Sequence, residues 1–132
     1  MRSEEQIATL LAVQQLLRMP ETHDQLRAIA LQSADKNIEL LEIIMSVVAD
    51  SSNADAAAFA RSVRGKLPRR GDSMALLALA KNSTPLTAEE ITELGMVASG
   101  GGKVDESSQI QAAWLYLKYA KRDKDATTQL TR

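Results

Sequence analysis

Arg61, Arg64, Lys66, Arg69 and Arg70 place five cations in ten residues, around the turn Lys66-Leu67-Pro68-Arg69-Arg70-Gly71. Arginine forks and loop amides suit phosphate oxygens, so this basic loop near 61–71 is a candidate anion site. The same cations would complement a helix macrodipole at about 0.3–1 kcal/mol each. They would equally serve internal salt bridges or a protein partner.

The last apolar stretch carries the other candidate. Trp114, Tyr116 and Tyr119 are three of the chain's four aromatic residues, and Lys118, Lys121 and Arg122 are interleaved with them. On a helix turning ~100° per residue, Ile110, Ala113, Trp114 and Leu117 form one apolar face. Ala112, Leu115, Tyr116 and Tyr119 form a second face opposite it. Such a helix is either central in its own bundle or shared with a partner. In the shared case Trp114, Leu115, Tyr116 and Tyr119 are the expected interface, because an aromatic body with a polar tip suits interface cores. The nucleic-acid alternative stacks bases on the aromatics and sets Lys118, Lys121 and Arg122, with the basic loop, against phosphates.

Other local patterns point to structure rather than chemistry. Ser99-Gly100-Gly101-Gly102-Lys103 departs from a phosphate-binding loop in having Val97 where glycine is needed and Val104 where a hydroxyl is needed. A helix, not a strand, is expected before it, so the glycines read as a helix end and a hinge over 99–103. Arg70-Gly71-Asp72-Ser73 spells an adhesion tripeptide, but the letters also describe a bend at Gly71 with Asp72 or Ser73 as N-cap. His23, beside Asp24, is expected to be a solvated imidazole. Glu39 and Glu42 lie one turn apart without a Glu-x-x-His partner, which suits a solvated face better than a metal. Glu89 and Glu90 read as first-turn dipole complements. No catalytic residue, cofactor or metal is expected from these patterns, and no small-molecule substrate is evident.

The elements that must position these residues are helical throughout. The spacing predicts helices at about 4–18, 23–34, 36–49, 54–66, 73–82, 88–98 and 106–123. Ser3 with Gln6, Thr22 with Gln25, and Thr87 with Glu90 each match a capping box. Pro20 should end the first helix and Pro68 the fourth. Apolar stripes run through Ile38, Leu41, Met45 and Val48, and through Ala56, Phe59, Ala60, Val63 and Leu67. Phe59 is the expected bulky knob among small neighbours. The expected class is all-α: a single domain over 1–132, one bundle of six or seven short helices.

Composition narrows the function classes. In 132 residues with no cysteine and one histidine, thiolate metal sites, disulfides, cysteine nucleophiles and multi-histidine metal sites are excluded. The net charge of −1 hides segregation: −5 over 1–60, +5 over 61–82, −4 over 83–106 and +3 over 107–132. Oppositely charged segments can neighbour one another once folded. The most apolar stretch, Ile38 to Ala49, contains Glu39 and Glu42 and falls short of the roughly 20 residues that span a bilayer. A cytoplasmic setting without membrane contact is therefore expected.

The segment from Ser108 to Lys121, SQIQAAWLYLKYAK, resembles the terminal helix of the small helical subunits of CRISPR effector complexes. The resemblance is confined to that segment. It implies a non-catalytic accessory subunit lying along a guide–target channel. Together these readings lead to a non-enzymatic interaction subunit that docks on another protein or on itself. A nucleic-acid-binding accessory subunit is the alternative.

Overall fold

A computed structural model describes residues 3–51, 54–82 and 84–130, with side chains through 121. Seven helices account for the described chain: α1 (Glu4–Arg18), α2 (His23–Lys36), α3 (Ile38–Asp50), α4 (Ala54–Val63), α5 (Arg69–Lys81), α6 (Ala88–Ala98) and α7 (Glu106–Leu130). A single 3-10 turn, Pro20–Thr22, joins α1 to α2. No strand occurs among the described residues, and the class is all-α.

Two of the three capping boxes form. The Ser3 hydroxyl accepts from the Gln6 amide while the Gln6 side chain accepts from the Ser3 amide, and Thr87 and Glu90 do the same. The Thr22 box does not form. Thr22 already has helical backbone angles (φ −98°, ψ 0°), whereas a capping residue is extended. Its hydroxyl instead has Leu16 O (2.7 Å) and Met19 O (2.8 Å) within reach of its one proton, closing the end of α1.

The expected N-cap at Asp72 or Ser73 is also overturned, because α5 begins at Arg69, directly after Pro68. Proline there fixes an extended residue just ahead of the helix and lacks only an N–H that no helix turn would use. Gly71 is therefore helical and buried, and a Cβ on it would lie 3.2 Å from Leu41 Cδ2. It serves close approach of α3 to α5 rather than a bend. Nor does Pro68 close α4, which ends at Val63 and turns at Gly65 in the left-handed region (φ +83°).

α5 is the helix on which the whole arrangement is built. All six residues from Ala75 to Ala80 are buried. Ala75, Ala78 and Leu79 face a core formed by α1 to α4, in which Phe59, Leu17, Leu26, Leu41, Ile44, Val48 and Val63 are fully enclosed. Leu76, Leu77 and Ala80 face a second core with Leu94, Val97, Ala112 and Tyr119. Six alanines and leucines in a row suit this, since small residues let two layers approach one helix from both sides.

The second core is closed by a helical hairpin of α6 and α7. Gly100 (φ +97°) ends α6, with its amide donating to Val97 O at 3.0 Å and the Gly101 amide to Met96 O at 2.8 Å. This is the paired-bond arrangement of a left-handed helix end. Gly102 then packs so tightly that a Cβ would lie 2.6 Å from Ser73 Oγ. Asp105 caps α7 by accepting from the Ser108 amide at 2.8 Å.

Candidate functional site

The basic loop is partly consumed by the fold. Arg61 donates to both Glu90 oxygens (Nε–Oε2 3.2 Å, Nη2–Oε1 3.0 Å) and to the Pro85 carbonyl at 2.6 Å. Arg64, with its side chain only 14% exposed, pairs with Asp72 at 2.9 Å and with Glu93, and lies 3.9 Å from Glu90. The segment with net +5 therefore meets the segment with net −4 through the ion pairs of Arg61 and Arg64 with Glu90 and Glu93. Burial would raise the Glu90 carboxyl, but the Arg61 hydrogen bonds, the Thr87 amide and the two arginine charges outweigh it. Its pKa is held below the ordinary glutamate value. Burial likewise disfavours the Arg64 charge, and its bonds to Asp72 and Glu93 more than restore it.

Lys66, Arg69 and Arg70 remain exposed at the surface. Arg70 lies 3.7 Å from Glu42, with both side chains about half exposed, which adds little stability. Lys118 and Lys121 are exposed as well, while the Arg122 side chain lies outside the described residues. The two basic groups do not meet along α5. Tyr119 sits against Ala80 and Thr84 at one end of α5. Arg69 opens the other end, roughly 16 Å of helix away.

The remaining candidates resolve as structure. His23 is buried rather than solvated: its Nε2 lies 3.0 Å from Leu17 O, and its ring meets Phe59 edge-on with centroids 5.7 Å apart. The 3-10 turn before it carries position 23 inward onto the end of α1. Glu90 is buried, so it is more than a dipole complement, while Glu89, Glu39 and Glu42 are exposed. Among the described residues, no three His, Asp or Glu side chains are grouped to hold a metal ion. No described helix is long and apolar enough to cross a membrane.

The two apolar faces of α7 have opposite fates. Ala112 and Tyr119 are buried, Leu115 is half-buried against the second core, and the Tyr116 ring lies over Gly95 of α6. Tyr119 thus works within the bundle, where its hydroxyl meets Ala80 O at 3.0 Å and Thr84 O at 3.1 Å. The other face points outward. Trp114 is 73% exposed, Leu117 62% and Ile110 54%. Of the four expected interface residues only Trp114 is on this face, and Ile110 and Leu117 complete it. A shallow depression beside it is lined by Thr92, Gly95, Met96, Ser99, Gly101 and Tyr116, and Met96 is also exposed.

Apolarity alone could not separate the two faces, since both are rich in large residues. The signal that could is charge: Glu106 and Lys121 are exposed and fall on the same stripe as Ile110, Trp114 and Leu117. The fold and this surface define an all-α helical protein with an apolar stripe uncovered on its last helix. Searches against protein-family models, curated proteins and solved structures gave no match.

Proposed function

We propose that the chain is a non-enzymatic interaction subunit that works by protein–protein contact through the outward face of α7. The carrying observation is the exposure of Ile110, Trp114 and Leu117 side by side on a helix whose opposite face is already buried. Scattered exposed apolar residues need no explanation, whereas a contiguous patch rimmed by charge suits a binding surface. Tryptophan is the residue type that most often dominates such contacts. The nucleic-acid reading has less support, because Arg61 and Arg64 spend their forks on carboxylates and the two basic groups lie apart.

The test is light scattering on a sizing column with protein purified from the cells that make it, at low and high salt. The reading expects a species heavier than 14.4 kDa that survives high salt and is lost in Trp114→Ser/Leu117→Ser, with helix content unchanged. A nucleic-acid absorbance signature that disappears in high salt would favour the alternative. A lone 14.4 kDa species in both, at every loading concentration, would overturn the docking surface.

A further inference from the structure

The outward stripe of α7 reads, from its start, Glu106, Ile110, Ala113, Trp114, Leu117, Lys121. The acidic end, the apolar centre and the basic end are spaced by threes and fours, which keeps them in one line along about four turns. Neither Glu106 nor Lys121 is in a salt bridge among the described residues, and both are exposed. This order is complementary to its own reverse. We infer that the stripe binds a second copy of this chain, α7 against α7 in antiparallel orientation about a two-fold axis. The inference rests on the reading of this face as a docking surface and names its occupant.

The register follows from the sequence. An axis passing between Ala113 and Trp114 sets Ile110 across from Leu117 of the second copy. Each Trp114 lies beside the small Ala113 of the other copy, and each Glu106 faces a Lys121. Two-fold symmetry makes every one of these contacts twice. Threes-and-fours spacing is the pattern that lets two helices pack at a shallow angle with knobs seated in holes. A parallel pair would instead set Glu106 against Glu106 and Lys121 against Lys121, so the charges select the antiparallel form. The patch is one helix face and smaller than the roughly 1,600 Å² of a standard stable complex, so dimerisation is concentration-dependent.

The experiment is sedimentation equilibrium of the full chain over a wide concentration range at low salt. Emission from Trp114, the only tryptophan, is read alongside. The wild type should move from 14.4 kDa towards twice that mass, with a blue shift as Trp114 becomes covered. Glu106→Lys and Lys121→Glu should each weaken the dimer roughly 2- to 30-fold, from two symmetry-related exposed ion pairs. The double reversal Glu106→Lys/Lys121→Glu should restore it. Failure of the double variant to recover, or a dimer indifferent to Trp114→Ser, would overturn the antiparallel pair. A wild-type monomer at every concentration would also overturn it. The broader docking reading would then stand or fall separately, on whether Trp114→Ser/Leu117→Ser loses the assembly obtained from cells.

Discussion

The Tyr119 hydroxyl reaches the Ala80 carbonyl at 3.0 Å, joining α7 to the last turn of α5 across 39 residues of sequence. A phenol has one proton to donate, and Ala80 and Thr84 oxygens both lie within its reach. At Ala80 the contact serves one of the carbonyls at a helix end, where the intrahelical ladder runs out. It also fixes which face of α7 turns inward, and therefore which face is left out.

Tyr119→Phe should lower stability by about 1 kcal/mol, the usual net value of one hydrogen bond, as read by urea denaturation. Trp114→Ala should change stability by no more than about 0.5 kcal/mol, because its side chain is mostly in water. Equal losses in the two variants would mean that the inward and outward faces of α7 are misassigned.

Glu90→Gln should cost about 2 kcal/mol at neutral pH, since it leaves the Arg61 fork short of its charged acceptor. The pH dependence has a definite sign. A carboxyl held below its ordinary pKa in the folded state contributes its stabilisation fully above the unfolded value, near 4.5. That contribution is lost as pH falls through the lower folded value. The stability gap between wild type and Glu90→Gln, measured by urea denaturation at stepped pH, should therefore be constant from pH 7 to about 5.5 and shrink below about 4.5.

Gly102→Ala and Gly95→Ala should part company. At Gly102 the added methyl would meet Ser73 Oγ at 2.6 Å and Val97 Cγ2 at 3.0 Å, both in a packed interior. Overpacking of this kind costs about 1–3 kcal/mol. At Gly95 the obstacle is the Tyr116 ring at 2.9 Å, which lies at the surface and can swing aside. Gly95→Ala, in the interior of α6, also gains about 0.5–1 kcal/mol of helix propensity, so its thermal midpoint should move little. Adding Ser73→Ala to Gly102→Ala should recover part of the loss.

Phe59→Ala should be the most damaging of these changes, at about 3–5 kcal/mol, because the ring is fully enclosed and supports the buried His23 edge-on. Against a total stability of about 5–15 kcal/mol, the variant should show a large drop in denaturation midpoint.

These contrasts follow the line between what the sequence carries locally and what only packing decides. The Ser3–Gln6 and Thr87–Glu90 caps were legible because each is complete within four residues. Phe59 was legible because it stands alone among alanines. Thr22 and Asp72 were not, because each serves a neighbouring element: Thr22 closes the helix before it, and Asp72 accepts from the Gly65 amide at 2.9 Å. The centrality sought in α7 belongs to α5, where an unbroken run of buried small and aliphatic residues carries no period to reveal it. The fate of the basic loop was legible only as a charge balance. Which carboxylate meets which arginine depends on how packing against α5 and α7 places α6 within side-chain reach of the end of α4.

α5 touches two cores with two different faces, which gives the molecule a natural seam. If the α6–α7 hairpin detaches, Leu76, Leu77 and Ala80 lose their cover while Ala75, Ala78 and Leu79 keep theirs. Such a partly opened form would retain α1 to α5 and display a fresh aliphatic strip. Amide hydrogen exchange would reveal it as two tiers of protection, with α6 and α7 opening at lower free energy than α3. Anything that clamps α7 from outside would raise the lower tier, so a surface contact on one side of the molecule would be felt as slower breathing along the helix at its centre.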